Sequence, residues 1–452
     1  MSIQTADALT AFQWTPQPKA EALVKELLAD FLNQNSFASG LAKRMREETG
    51  TRFIDWIDHI LCPSTGYAGQ RLEDAGFVGR GSVYVHEGGI FPKIVLRDQA
   101  NTHIAIKVES IEDFLAALQV TPLQAADAPP LAPLRRARIN AEKGTGLWAV
   151  ERHGYDGFIA PAWSAEKAAA ASKHEHAFGH RQRNFADEAE GFASLSSLID
   201  AAIADLGPGY AADRFFRTER DYWQSRNRAA RVQKSRQDRL GLGWANHDHH
   251  TYRSSRRHFA PMIALFEKLG LVCRERFYAG ADAGWGAQVM EHPTAGIIVF
   301  ADVDLSPDEL RGDFAHQGLS PRHDLGTVGL WCALHGEAIL QAGMHHLECQ
   351  FDFDALKKQL EQEEQVKVMK PFTDFPYLRQ AFTEGEIWPV AEERIAKLLE
   401  KQQITPEQAE KFRGHGAIGS HLENLERNEG FKGFNQKGVS DIIARTDPRS
   451  AQ

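Results

Sequence analysis

The sequence predicts an α+β fold made of tandem βαβββ modules with added helices. Three observations carry this. Strands come in groups after single helices, which excludes a doubly wound sheet with its regular strand–helix alternation. The order of strand, glycine-stopped helix and further strands occurs twice, in 52–160 and in 244–400. A chain of 452 residues with 42% hydrophobic and 25% charged side chains has ordinary globular composition, enough for two domains and further elements.

Residues 1–51 are expected to supply N-terminal helices, because KAEALVKELLADFLNQNSFASGLAKRMREE (19–48) places apolar side chains near helical spacing. The first domain, 52–160, opens with the Ile-rich strand FIDWIDHILC, and GYAGQRLEDAGF is a short helix stopped by Gly76. GSVYVHE and FPKIVLRD are strands separated by Gly88 and Gly89. THIAIKVES alternates apolar and polar and runs straight into the helical IEDFLAALQV. A Pro/Ala-rich loop, 121–134, follows, and GLWAVERHGYDGF resumes as a strand. Residues 161–243 form a helical insert or linker, whose basic run RTERDYWQSRNRAARVQKSRQDR reads as a solvated helix face. The second domain, 244–400, has WANHDHHTYR as a strand and SSRRHFAPMIALFEKLG as a helix with serine caps and a glycine stop. GAQVMEHP and GIIVFADVD are strands, 305–342 is a partly helical insertion, and MHHLECQFD with DALKKQL is another strand–helix unit. A C-terminal helical tail, 401–452, opens with the Thr-capped TPEQAEKF and closes in polar, turn-rich segments.

A formal net charge of −9 argues against a nucleic-acid partner needing many phosphate contacts, while leaving small anions open to local Arg and Lys side chains. The four cysteines form no CxxC pair and suit buried packing in a reducing compartment. The N-terminus lacks a basic region followed by an apolar run, and there is no apolar run of about 18 residues. A cytoplasmic location without membrane association is the expectation, and the oligomeric state stays open.

The two halves match in order. IDHILCP aligns with HDHHTYR at the Asp-His pair, EDAGF with EKLGL, FPKIVLRD with GIIVFADVD, and THIAIKVESIEDFLAAL with HHLECQFDFDALKKQL. An Asp-His pair opening a strand, followed by a helix ending in glycine, resembles the vicinal-oxygen-chelate superfamily, in which paired βαβββ modules curve around one metal. Within the second half, HDHHTYR, MEHPTAGIIVFADVDLSPDEL, GMHHLECQFDFDAL and GEIWPV are similar to stretches of the 2-oxoadipate dioxygenase/decarboxylase family. That resemblance implies His249, His346 and Glu386 as metal ligands, with Arg253 orienting a substrate carboxylate. Insert lengths differ, and Trp388 and Pro389 stand beyond Glu386 where the family has Gln-Arg-Gly. The implied reaction is Fe(II)-dependent conversion of 2-oxoadipate and O2 to 2-hydroxyglutarate and CO2, a step of lysine breakdown.

Two imidazoles and a carboxylate form a facial triad that leaves positions open for a chelating 2-oxo acid and O2; another divalent metal would suit the same ligand types. Strand parity puts His249, Thr251 and Arg253 on one face, and His346, Glu348 and Gln350 on one face. Arg253 offers a planar fork to a carboxylate. His345 competes with His346 through a one-residue slip, and Glu384 and Glu348 compete with Glu386. His247 and His250 are either neighbours of the site or exposed, and Trp285 and Phe300 belong to the core. In the first domain His59, His103 and Glu151 form a rival set, but no Arg follows His59 and its face is mostly apolar, so this half reads as a degenerate copy. The rival functions are an extradiol ring-cleaving dioxygenase, a glyoxalase-type isomerase, which would want a second carboxylate ligand and no O2, and a non-catalytic binding protein.

Overall fold

The computed structural model describes residues 14–66, 68–281, 283–435 and 446–449. The expectations for the extreme N-terminus and for most of the closing turn-rich segment lie outside these residues.

Helices α1 (Pro18–Gln34) and α2 (Ser36–Thr49) come first, parted by Asn35, whose side chain accepts the Ala38 N–H at 2.9 Å and caps α2. Gly50 ends α2 at φ +66°, where a Cβ would come within 2.8 Å of the Leu356 backbone; only glycine permits both. Strand β1 (Ile57–Pro63), helix α3 (Ala68–Asp74), β2 (Val78–Arg80), β3 (Val83–Val85) and β4 (Lys93–Arg97) form a βαβββ unit ordered β2-β3-β4-β1, with β1 and β4 parallel. A shorter βαββ unit follows: β5 (His103–Lys107), α4 (Ile111–Leu118), β6 (Leu134–Glu142) and β7 (Thr145–Arg152). Antiparallel pairing of β1 with β5 joins the two units into a seven-stranded sheet.

Four helices then cross to the second half: α5 (Ala165–Gly179), α6 (Glu188–Leu206), α7 (Pro208–Ser225) and α8 (Arg228–Asp238). Next come β8 (His247–Arg253), α9 (Phe259–Lys268), β9 (Val272–Tyr278), β10 (Trp285–Glu291) and β11 (Ile298–Asp304), ordered β8-β11-β10-β9. Helix α10 (Thr327–His335) lies in the expected insertion. The last unit comprises β12 (His346–Gln350), α11 (Phe353–Gln362), β13 (Thr373–Phe375), β14 (Leu378–Phe382), β15 (Glu386–Trp388), α12 (Glu392–Glu400), α13 (Pro406–His415) and β16 (Ala417–Arg427). Its order is β12-β16-β14-β13, with β15 paired to β16 off the main path. Antiparallel β8–β12 pairing closes a nine-stranded curled sheet of two complete βαβββ units, so the fold is α+β with tandem modules.

Several expectations are corrected. The segment 401–452 is not a helical tail: after the capped α13 it supplies β16, an inner strand of the second sheet. Strand β9 was missed, because VCRERFY mixes charges with apolar residues; it lies at the sheet edge. The serines before α9 do not cap it; Ser254 Oγ donates to Glu337 at 2.8 Å, and the helix starts after His258. The basic helices at 208–238 are not merely solvated: Arg214, Arg220 and Arg236 are buried.

Helices α5 to α8 share a core with the second sheet, through Phe178, Ile199, Phe215, Phe216 and Trp223. Phe216 lies 5.2 Å from the His250 ring and stacks on Phe266 at 5.9 Å, and Tyr252 packs edge-on to both rings. This helical layer covers the face of β8 that carries His250 and Tyr252. The opposite face, with His249, Thr251 and Arg253, is left to line a cavity.

Candidate metal centre

Inside the second sheet a cavity of about 70 Å³ is lined by His249, Thr251 and Arg253 from β8 and by His346 and Glu348 from β12. Glu423 from β16 and several aromatic rings, among them Phe300, Phe382 and Phe434, complete its wall. One ligand atom each from His249, His346, Glu348 and Glu423 lie within 4.8 Å of one another, and all four residues are buried. Glu348 Oε1 is 2.6 Å from His249 Nε2 and 2.5 Å from His346 Nε2, and Glu423 Oε2 is 3.7 Å from His346 Nε2. Sheet pairing produces this convergence. Antiparallel β8–β12 sets Glu348 opposite His249, and parallel β12–β16 sets Glu423 beside Glu348 and His421 beside His346.

Neighbouring groups aim the donors. His249 Nδ1 donates to Asp248 Oδ2 at 2.8 Å, and Asp248 receives Arg427 Nε at 2.9 Å and Nη2 at 3.0 Å. That bond fixes the tautomer and leaves the Nε2 lone pair facing the cavity. Burial raises the Asp248 carboxyl, but Arg427 and His249 outweigh it and hold the group below the ordinary carboxylate range. Burial pushes His249 down to about 4, so its ring is neutral at physiological pH. His345 sits behind its neighbour, with its Nδ1 2.6 Å from His346 Nδ1, which turns the His346 Nε2 toward the cluster. Burial, reinforced by the charge of Glu423, raises the Glu348 carboxyl far above its usual range, and burial raises Glu423 as well. Glu348 Oε2 has no hydrogen-bond partner among the described residues. Two neutral imidazoles and two crowded carboxylates in a dry site are the donor chemistry of a divalent cation, which would replace the protons these carboxylates otherwise hold. A second group of donors, Glu267, Cys273 and His316, is exposed.

Of the residues singled out in the sequence, His249 and His346 meet in the cluster and Arg253 lines the same cavity. Glu386 does not join them. It is half-buried on β15, pairs with Ser420, and accepts the Arg228 backbone N–H at 2.8 Å at the start of α8. The carboxylates that reach the imidazoles are Glu348, which strand parity had put on the face of His346, and Glu423, which sequence reading missed by treating its strand as tail. Glu384 likewise lies apart, 3.1 Å from Lys367.

The first sheet carries the counterpart positions. His59 Nδ1 bonds Asp58 at 2.6 Å, and Asp58 pairs with Arg152 at 2.5 Å, as Asp248 does with Arg427. His103 corresponds to His346, but the β5–β7 register puts Ala105 and Trp148 where the second sheet has Glu348 and Glu423. Glu151 faces elsewhere, accepting from Arg135 Nη1 at 2.9 Å and from the Ile111 backbone N–H at 2.5 Å. This copy keeps the scaffold of the site without its carboxylates.

At the cavity's far end the Arg253 guanidinium is buried, with Nε and Nη1 unbonded among the described residues. Its nearest acid is Asp302, 3.8 Å away. Burial pushes the Asp302 carboxyl up to about 8, against the pull of Arg253. A neutral acid beside a charged guanidinium leaves the latter available to another anion.

No family model matches the sequence, and no curated protein matches it. Solved structures similar to the chain include a glyoxalase superfamily protein of Ralstonia eutropha JMP134, at 12% identity and a TM-score of 0.34, covering 61% of this chain and 99% of that one. A mutant of 4-hydroxymandelate synthase from Streptomyces coelicolor aligns at 12% identity and a TM-score of 0.26, covering 76% of this chain and 96% of the other. Methylmalonyl-CoA epimerase from Mycobacterium tuberculosis aligns at 12% identity and a TM-score of 0.23, covering 41% and 89%.

Proposed function

We propose that the protein is an Fe(II)-dependent dioxygenase that decarboxylates a 2-oxo dicarboxylic acid, with 2-oxoadipate, O2, 2-hydroxyglutarate and CO2 as the reactants and products. One observation carries the reading: a buried set of two imidazoles and two carboxylates shares a cavity with a buried guanidinium whose nearest acid, Asp302, stands 3.8 Å away. His249, His346 and one or both of Glu348 and Glu423 hold the metal, which when bound polarises a chelated keto acid and activates dioxygen. Arg253 stands four residues along β8 from His249, about 13 Å of extended backbone. The reach of its side chain and a ligand of several carbons span that interval, so the guanidinium grips the distal carboxylate while the 2-oxo acid end meets the ligand cluster. Asp302 keeps its proton and therefore does not compete with substrate for Arg253. Phe300, Phe382 and Phe434 exclude water from the space between the two ends.

The second carboxylate favours a second reading. An O2-independent isomerase on this scaffold would use two imidazoles and two carboxylates together. Oxygen uptake separates the two. The Fe(II)-loaded protein is expected to consume one O2 for each CO2 released from 2-oxoadipate, and to act weakly on monocarboxylic 2-oxo acids. Metal-dependent turnover of a 2-oxo or thioester substrate under strict anaerobiosis, with no O2 uptake on any dicarboxylic 2-oxo acid, would overturn the dioxygenase assignment.

A further inference from the structure

A second, separate cavity of about 30 Å³ lies at the junction of the two halves. It is walled by Lys107 at the end of β5, Arg152 on β7, Arg214, Arg217 and Arg220 on α7, and His247 at the start of β8. Its acids, Glu109 and Asp213, are engaged by other partners: Glu109 lies 3.3 Å from Lys234, and Asp213 binds Arg214 and lies 3.3 Å from His153. Arg152 is satisfied by Asp58, and Arg217 reaches Glu175 at 3.3 Å.

That leaves two cations with no acid in ion-pair contact, although Glu109, Asp213 and Asp221 act on Arg220, and Asp213 and Asp58 on Lys107, at longer range. Arg220 is only 7% exposed; its Nε has no hydrogen-bond partner, and its Nη1 donates to the imidazole of His250 at 3.3 Å. Lys107 is half-buried and makes no hydrogen bond among the described residues. Among those residues no carboxylate lies within 4.0 Å of either cation. A buried guanidinium that touches no carboxylate is costly, and native structures resolve the cost by pairing the charge. The cavity exceeds the roughly 10–15 Å³ that one water needs, and the cations converge on it from both halves of the molecule.

We infer that this junction is a binding site for one small oxyanion, of phosphate or carboxylate type, held between Lys107 and Arg220. The anion would make the direct contact with Lys107 and Arg220 that Glu109 and Asp213, held by Lys234 and Arg214, do not make, and would tie the first sheet to α7 and β8. The site is distinct from the metal centre. Arg220 and His250 stand behind β8, on the face opposite His249, so the anion would brace the strand that carries a metal ligand without entering the reaction cavity.

The test is calorimetric titration of the full-length protein with inorganic phosphate and, separately, with acetate at constant ionic strength, together with thermal melts. One anion is expected to bind saturably at one site per chain and to raise the melting temperature, and the arm that does so identifies the source. Lys107→Met and Arg220→Met should each weaken binding about tenfold or more, whereas His346→Ala, at the other cavity, should leave it unchanged. If Arg220→Met does not fold, Lys107→Met decides alone, because its side chain is only half-buried. The inference is overturned if neither anion binds saturably, if the Lys107 variant binds as tightly as wild type, or if His346→Ala abolishes binding.

Discussion

Replacing Glu423 by Gln, with Glu386→Gln in parallel, separates the carboxylate that joins the buried His249, His346 and Glu348 cluster from the one the sequence suggested. Gln is nearly isosteric and can still accept the bond from Gln380 Nε2 that now reaches Glu423 Oε1 at 2.8 Å, so the strand pairing should survive. What is lost is a buried negative charge next to a divalent cation. Removing one partner of a buried, hydrogen-bonded charge pair costs about 2–5 kcal/mol, which corresponds to roughly 30-fold to several-thousand-fold weaker metal binding. Glu386 caps the first turn of α8 through the Arg228 N–H, so its replacement should change metal affinity less than about twofold and stability by about 1 kcal/mol. Competition against a fluorescent chelator, with metal content measured after dialysis, reads both. Metal-free Glu423→Gln should be at least as stable as metal-free wild type, because it removes one of two crowded buried acids; this separates ligand loss from misfolding. Loss of metal from Glu386→Gln with retention in Glu423→Gln would refute the assignment.

Three further outcomes follow from the same geometry. Asp248→Asn should weaken metal binding about 10- to 100-fold, since it frees the His249 ring and leaves Arg427 unpaired, whereas Asp58→Asn, its twin in the first sheet, should leave metal content unchanged; equal losses in both would place a second metal in the first half. Urea melts of the metal-free protein should show wild type losing stability relative to Asp302→Asn as pH rises from about 4 to about 8. Across that window the folded chain holds a proton on Asp302 that the unfolded chain has released, and the difference should flatten above about 8; a constant difference would mean Asp302 is not protonated. Phe216→Ala should cost about 3–5 kcal/mol by opening a void between α7 and the back of β8, yet leave metal affinity nearly intact, because Phe216 touches the face of β8 opposite His249; a large loss of affinity would show that the helical layer positions the ligand.

Much of this protein was legible in one dimension. Alternation along HDHHTYR and HHLECQ is a local property of extended backbone, so the face shared by His249, Thr251 and Arg253, and that shared by His346 and Glu348, followed from parity. The repeat of Asp-His pairs and glycine-stopped helices located the modules, because each must bury the same face of its own strand. The fourth member, Glu423, was not legible in the same way. Which further carboxylate joins the imidazoles depends on which strands lie side by side, and β16 (Ala417–Arg427) pairs with β12 (His346–Gln350) from far along the chain. One signal was present: LWAVER in the first half and HLENLER in the second occupy the same strand of their modules, and each ends in the Arg that holds the Asp-His pair. The same limit applies to the arginines of α7. Composition marked them as a solvated stripe, and only the docking of two sheets around that helix decided that they are buried, because burial belongs to the surfaces that meet and not to the residue that carries the charge.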